Sequence, residues 1–173
     1  MIIREMTLDD LPSVAAVGAL STQSPWDERS TLTYFLRDDT LFVVAEEPAR
    51  NGLSGSSGTD GPPDTGRGDE DRAAIVGFAA LLLTPPESDV LDIIVRTEYR
   101  GKGIGTKLLD GLCDHALLRQ VDTVFLEVRP SNTPARKLYE KLGFEQIGIR
   151  RNYYTDPAED AISMVRRRNI SFL

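Results

Sequence analysis

Three alternating glycines, Gly101, Gly103 and Gly105, follow a run of β-branched residues and lead into a helical pattern. Such a turn presents successive backbone N–H groups, and without Cβ atoms an anion can approach them closely at the positive end of a helix dipole. The spacing fits neither the P-loop nor the dinucleotide-binding fingerprint. The stretch is therefore either a phosphate or pyrophosphate cradle of another kind or a plain structural turn, which also needs glycine.

A second group of reactive side chains lies in the stretch "FLEVRPSNTPARKLYEKLGF". Glu127 is a carboxylate on an otherwise apolar strand, and it points to the face opposite its immediate neighbours. It is either a general base whose pKa is raised by desolvation or one half of an ion pair with Arg129 or Arg100. Tyr139, on the helix that follows, is either the edge of a core or a phenol available to a reaction.

The elements that position these residues follow the order β-α-α-β-β-β-α-β-α-β-β, as judged from hydrophobic periodicity and turn signals. This order predicts an α/β fold in which helices flank one central mixed sheet. The helix that carries Tyr139 is well delimited. We expect Thr133 to cap it, Pro134 to lie in its first turn and Gly143 to fit its end.

The chain has 173 residues, of which 40% are hydrophobic, and this size suits a single domain that spans residues 1–173. One segment, at about residues 48–72, is rich in Gly, Ser, Pro and Asp and has almost no apolar side chains. It cannot bury enough surface to offset the entropy of ordering it. We expect a flexible insertion between two strands of a hairpin, with a docking segment as the alternative.

The formal net charge of -7 disfavours general binding to nucleic acid or to an anionic membrane and suits a cationic or amine-bearing partner. A single cysteine, Cys113, excludes an internal disulfide. With a single histidine, His115, a zinc site or a histidine-based triad is also disfavoured, and no metal is expected. The chain shows no signal-peptide pattern and no apolar window near the roughly 20 residues of a membrane span, so we expect a cytoplasmic protein.

Three stretches carry a resemblance to a known family. The stretch "YRGKGIGTKLL" resembles the Arg/Gln-x-x-Gly-x-Gly/Ala signature of the GCN5-related N-acetyltransferase (GNAT) superfamily. The stretches "LEVRPSNTPARKLYEKLGF" and "RRNYYTDPAEDAISM" are similar to protein N-terminal acetyltransferases, especially the bacterial ribosomal-protein-alanine N-acetyltransferases of the RimI type. The resemblance covers the whole chain except the insertion, which departs from the compact family pattern.

The resemblance implies that acetyl-CoA enters a gap between the strands "VLDIIV" and "DTVFLEV". Tyr139 would then be the general acid near the thioester sulfur, and Glu127 would be the base, acting through water. Asn132 would contact the pantetheine arm, which would pair with the strand edge at Ile93, Ile94 and Val95. The pyrophosphate would lie on the backbone amides of Arg100, Gly101, Lys102, Gly103, Ile104, Gly105 and Thr106.

The acceptor side is predicted from the same resemblance, with Pro25 and Trp26 on one wall and Tyr153 and Tyr154 on the other. Ordinary hairpin packing is the alternative for the two tyrosines, and helix packing is the alternative for Trp26. Three acidic residues nearby either attract a basic peptide or are solvated turn residues: Asp156, Glu159 and Asp160.

The resemblance favours the N-terminal alanine of a small-subunit ribosomal protein as the acceptor. An α-amino group, with a pKa of about 7.7 to 8.0, loses its proton more easily than lysine at about 10.4, so a modest base suffices. Acetyl transfer to lysine or to a small-molecule amine is the alternative within the same family. A non-catalytic acyl-CoA-binding module and a ribosome-associated protein without cofactor are the alternatives outside it. The sequence does not indicate an oligomeric state.

Overall fold

The computed structural model describes residues 1–21, 26–48 and 73–168. Its elements follow the predicted order, and the predicted fold class is confirmed. The insertion predicted at about 48–72 lies outside the described residues except for Pro48, and so does Pro25. The helices and strands are β1 (Ile2–Glu5), α1 (Leu11–Gly18), α2 (Glu28–Phe35), β2 (Thr40–Glu47), β3 (Ala74–Thr84), β4 (Glu87–Val95), α3 (Ile104–Leu117), β5 (Thr123–Val128), α4 (Thr133–Lys141), β6 (Glu145–Thr155) and β7 (Ala158–Arg167).

The seven strands form one sheet in the order β1-β2-β3-β4-β5-β7-β6. Only β4 and β5 run parallel, and they pair at just three positions, the last of which joins Asp89 to Phe125. In contrast, β5 pairs with β7 along its whole length, from Thr123 to Val128. The outer half of β4 therefore separates from β5, and the gap predicted between these two strands is present.

Apolar clusters on both faces of the sheet hold the helices in place. One cluster joins α3 and neighbouring residues of α4 to the sheet and includes Leu81, Leu108 and Leu126, all 2% exposed or less. The other places α1 and Trp26 against Phe78 and further residues of β2 and β3. Each fully buried side chain of this size contributes about 1.5–3 kcal/mol to folding, which makes the sheet a firm support for the cleft described below.

The helix α4 begins one residue earlier than a Thr133 cap would require. Asn132 is the N-cap, and its side-chain oxygen accepts a hydrogen bond from the Ala135 amide at 3.2 Å. Asn132 has non-helical dihedral angles, and Thr133 is already the first residue of the helix, so the expectation of a Thr133 cap was wrong. The predicted end is confirmed, because Gly143 follows the helix with φ of +82°, a left-handed conformation that glycine adopts readily.

No helix within the described ranges is long and apolar enough to cross a membrane.

Candidate active site

A cleft of about 1290 Å³ opens where β4 and β5 separate. The turn before α3, the free edge of β4, the start of α4 and the hairpin of β6 and β7 all contribute to its walls. The predicted site residues that line it are Trp26, Ile93, Ile94, Val95, Arg100, Gly101, Gly103, Ile104, Gly105, Thr106, Glu127, Asn132, Tyr139, Tyr153 and Tyr154. Lys102 is not among the lining residues. Its ammonium group lies over the Tyr99 ring, 4.8 Å from the centroid.

The glycine-rich turn has the backbone geometry of an anion cradle. Gly101 and Gly103 have φ of +74° and +75°, and a Cβ atom at either position would meet nothing within 4 Å. In the described part of the chain, the amides of residues 101–106 donate no hydrogen bond, and they precede or begin α3. Arg100 differs from this set, because its amide already donates to the Thr97 carbonyl at 3.2 Å. Of the backbone amides predicted to bind the pyrophosphate, only those of residues 101–106 are therefore free to donate to it in the described structure.

Gly105 has a different role from the two glycines before it. A Cβ atom there would lie 3.1 Å from Cδ1 of Leu138 on α4, so its small size permits the close approach of α3 and α4. The spacing of the three glycines therefore combines two requirements: a left-handed turn at Gly101 and Gly103 and helix packing at Gly105.

The free edge of β4 offers backbone polar groups to the cleft. The Val95 carbonyl accepts a hydrogen bond from Nε of Arg100 at 3.0 Å, and the Arg96 amide donates to Val76 of β3 at 2.9 Å. Because successive residues of an antiparallel strand alternate in direction, the backbone of Val95 faces away from β3 and toward the gap. This is the orientation that pairing with an extended arm requires.

Glu127 lies on β5 at the cleft wall, with its side chain 19% exposed. Its carboxylate forms an ion pair with Nη1 of Arg150 at 2.9 Å. The ion-pair alternative named Arg129 or Arg100 as partner, and both were wrong. Arg129 instead forms an ion pair with Glu159 of β7 at 3.3 Å, and its guanidinium group lies over the ring of Tyr154 on β6. These contacts with the hairpin occupy the side chain that was expected to pair with Glu127.

Tyr139 projects from α4 into the cleft and also packs against Phe144, with ring centroids 5.9 Å apart. Burial raises the pKa of its phenol well above the ordinary value, and the nearby Asp92 carboxylate raises it further. The hydroxyl group of Tyr139 therefore stays protonated at neutral pH. The two sequence interpretations of Tyr139, core edge and reactive phenol, are compatible in this position.

Trp26 belongs to the core and also lines the cleft. It is 8% exposed and makes edge contacts with the rings of Tyr34, Phe42 and Phe78. Its Nε1 donates a hydrogen bond to Oδ2 of Asp92 at 3.1 Å. Trp26 therefore positions the Asp92 carboxylate at the cleft.

The opposite wall carries the predicted tyrosine pair. Tyr153 is exposed, Tyr154 is half-buried, and their rings meet edge to face with centroids 5.0 Å apart. Burial raises the pKa of Tyr154 to about 12. Two of the nearby acidic residues already make structural hydrogen bonds. Glu159 accepts one from the Ser131 amide, which joins the hairpin to the segment before α4, and Asp160 accepts one from the Asn152 amide within the hairpin.

Asp92 is a cleft residue that the sequence analysis missed. It lies on β4 between apolar neighbours, and burial raises the pKa of its carboxyl. The pattern that singled out Glu127, a carboxylate on an apolar strand, applies equally to Asp92 and could have identified it.

No group of three His, Cys, Asp or Glu side chains in residues 1–21, 26–48 and 73–168 is arranged to hold a metal ion.

A family model described as the acetyltransferase (GNAT) family matches residues 19–144. This chain belongs to that family, and the resemblance found in the sequence is confirmed. The chain is also similar to [ribosomal protein bS18]-alanine N-acetyltransferases. It is 42% identical to the Salmonella typhimurium protein over 161 residues, which cover 92% of each chain. It is 45% identical to the Escherichia coli K12 protein over 92 residues, which cover 52% of this chain and 62% of that relative.

One solved structure supports the same family, and a second shows the same fold. The crystal structure of the ribosomal-protein-S18-alanine N-acetyltransferase from Escherichia coli superposes with a TM-score of 0.73 at 29% identity, covering 99% of this chain and 97% of the other. Arabidopsis thaliana NAA60, solved with a bisubstrate analogue, gives a TM-score of 0.74 at 16% identity, with 97% and 98% covered. The second likeness shows the shared fold alone.

Proposed function

We propose that this protein is an N-terminal protein acetyltransferase, which moves an acetyl group from acetyl-CoA to the α-amino group of ribosomal protein bS18 at its N-terminal alanine. The observation that carries this proposal is the 42% identity, along 92% of both chains, to a relative named for that reaction. An acceptor on a ribosomal protein implies a cytoplasmic enzyme.

The residues of the cleft fit acetyl-CoA. Acetyl-CoA supplies an acetyl thioester, and its diphosphate suits the unpaired amides of the turn at residues 101–106, where Gly101 and Gly103 leave the approach open. The edge of β4 at Val95 suits the pantetheine arm. Asn132 uses its side-chain oxygen for the cap of α4, so its contact with the arm would use Nδ2.

The proposed reaction needs two proton transfers, one from the acceptor amine and one to the departing sulfur, and a different side chain carries out each. Glu127, fixed in place by Arg150, accepts a proton from the acceptor amine through water. Tyr139 is protonated at neutral pH, as an ordinary phenol also is, so it can donate a hydrogen bond and then its proton to the departing sulfur. Alignment of the amine with the thioester in one cleft supplies a further share of the acceleration.

The acceptor peptide would enter between the hairpin that carries Tyr153 and Tyr154 and the side of the cleft where Trp26 holds Asp92. The net charge of -7 favours a basic peptide over an acidic one.

Intact-mass analysis tests the proposal. We would incubate acetyl-CoA with a short alanine-starting peptide and, separately, with a matched peptide whose N-terminus is blocked and which carries one lysine. We expect one acetyl group on the first peptide and none on the second. Tyr139→Phe should slow the transfer by about 100-fold or more, the usual contribution of general acid catalysis, whereas the matched variant Tyr34→Phe should not.

Acetylation of the blocked, lysine-bearing peptide alone would instead assign a lysine acetyltransferase. Absence of acetyl transfer to any amine would refute the enzymatic proposal.

A further inference from the structure

Asp92 is held in one position by three donors. Its Oδ2 accepts from Nε1 of Trp26 at 3.1 Å and from Oγ of Ser21 at 3.4 Å, while its Oδ1 accepts from the Ile93 amide at 2.8 Å. These donors come from β4 itself and from the segment between α1 and α2. The carboxylate is therefore fixed at the cleft rather than free to rotate into solvent.

This carboxylate lacks a cationic partner. Glu127 pairs with Arg150 and Glu159 with Arg129, but Asp92 takes part in none of the ion pairs of the described residues. Burial raises its pKa, and the three hydrogen bonds only partly oppose that effect. A buried carboxylate without a counter-charge is costly, and a cation delivered by a ligand would offset that cost.

The position of Asp92 is central to the proposed reaction. It lies on the part of β4 that has already separated from β5, one residue before the edge at Ile93–Val95 that is proposed for the pantetheine arm. It is close enough to Tyr139, the proposed acid for the sulfur, to influence the pKa of that phenol. It is also bonded to Trp26 on the predicted acceptor wall. Asp92 thus lies between the acceptor entrance and the leaving group.

We propose that Asp92 binds the α-ammonium group of the acceptor and holds its nitrogen beside the thioester. This inference rests on the proposed function and names the group that recognises the acceptor. One proton of the bound ammonium passes through water to Glu127, and the freed lone pair forms the new C–N bond. The C–S bond breaks, coenzyme A leaves as a thiol with the proton of Tyr139, and the second N–H proton restores that phenol through water.

A binding cycle tests this role without turnover. Calorimetry would measure the dissociation constant of an alanine-starting peptide, and of the same peptide with lactyl in place of alanyl, in the presence of coenzyme A. The lactyl peptide replaces the ammonium group with a neutral hydroxyl. Both peptides would be measured with the wild type, with Asp92→Asn, and with Asp89→Asn, an exposed position on the same strand.

We expect the wild type and Asp89→Asn to prefer the ammonium peptide by about tenfold or more, the value of one charge-assisted hydrogen bond. Asp92→Asn should bind both peptides equally. Its kinetics should show a raised KM for the peptide and an unchanged KM for acetyl-CoA, which a merely structural loss would not produce.

The inference is overturned if Asp92→Asn keeps the full preference. It is also overturned if the wild type itself fails to distinguish the two peptides, a result that needs no variant to fold. Either outcome leaves acetyl transfer by the wild type intact, whereas failure of the proposed function appears as absence of that transfer.

Discussion

Replacing Gly103 with alanine tests whether the glycine-rich turn acts through its backbone conformation. Gly103 has φ of +75°, and a Cβ atom there would meet nothing within 4 Å. The substitution therefore adds no clash and no contact. Its effect on the free energy of unfolding comes from the backbone: the left-handed conformation in the folded state and the conformational entropy of the unfolded chain.

That conformation costs an L-residue about 1–2 kcal/mol. The loss of unfolded-state entropy on replacing glycine returns about 0.4–1 kcal/mol. The net destabilisation is about 1 kcal/mol, which lowers the Tm of a protein of this size by about 2–4 °C. If the alanine relaxes to a negative φ, the neighbouring amides turn away from the cleft. Losing one charge-assisted hydrogen bond to a phosphate then weakens acetyl-CoA binding by about tenfold or more.

Gly148→Ala is the matched control, because a Cβ atom there also meets nothing within 4 Å while its φ lies outside the left-handed region. Thermal unfolding would measure stability, and calorimetric titration with acetyl-CoA would measure affinity. We expect Gly148→Ala to raise the free energy of unfolding by about 0.4–1 kcal/mol, because only the unfolded-state entropy changes, and to leave the affinity for acetyl-CoA unchanged. The reasoning fails if Gly103→Ala matches Gly148→Ala in both measurements.

Three further predictions concern the rest of the molecule. Leu108→Ala, at a fully buried position, should lower the free energy of unfolding by about 2–5 kcal/mol in urea titrations, and a loss below 1 kcal/mol would contradict the core assignment. The hydrogen bonds from Arg4 lower the pKa of Asp10. This ion pair stabilises the fold fully at pH values above the ordinary carboxyl pKa of about 3.9, and the stabilisation is lost as the pH falls through the lowered pKa. Arg4→Met should therefore reduce stability at pH 7, with a difference from wild type that shrinks in acid; a difference independent of pH would refute this. Burial raises the pKa of the Cys113 thiol to about 11, so a thiol reagent at neutral pH should modify it only after unfolding, and rapid modification of the native protein would show otherwise.

Local patterns were enough to predict the order of the elements. Hydrophobic periodicity marks α3, and the left-handed glycine at Gly143 ends α4 where a helix stop was expected. The start of α4 was placed wrongly because Asn132 and Thr133 are adjacent and both can cap a helix. The backbone dihedral angles decide between them, and those depend on the path of the chain out of β5.

The parts of the site that depend on distant segments were harder to predict. Arg150, the ion-pair partner of Glu127, lies on β6, and the two residues are 23 positions apart in the sequence. No local spacing indicates that pairing. Asp92 shares the local pattern of Glu127, a carboxylate on an apolar strand, but its hydrogen bond from Trp26 joins distant segments and is not visible in that pattern. The turn at Gly101 and Gly103 was accessible from sequence because its chemistry is contained in consecutive residues.

The incomplete pairing between β4 and β5 makes the stability of the folded protein depend on the ligand that occupies the gap. A ligand that lies along the open edge contacts both parts of the sheet, and it stabilises the folded state by about 2.7 kcal/mol when present at a hundredfold excess over its Kd. With acetyl-CoA bound, the folded protein should therefore resist proteolysis better than it does without it.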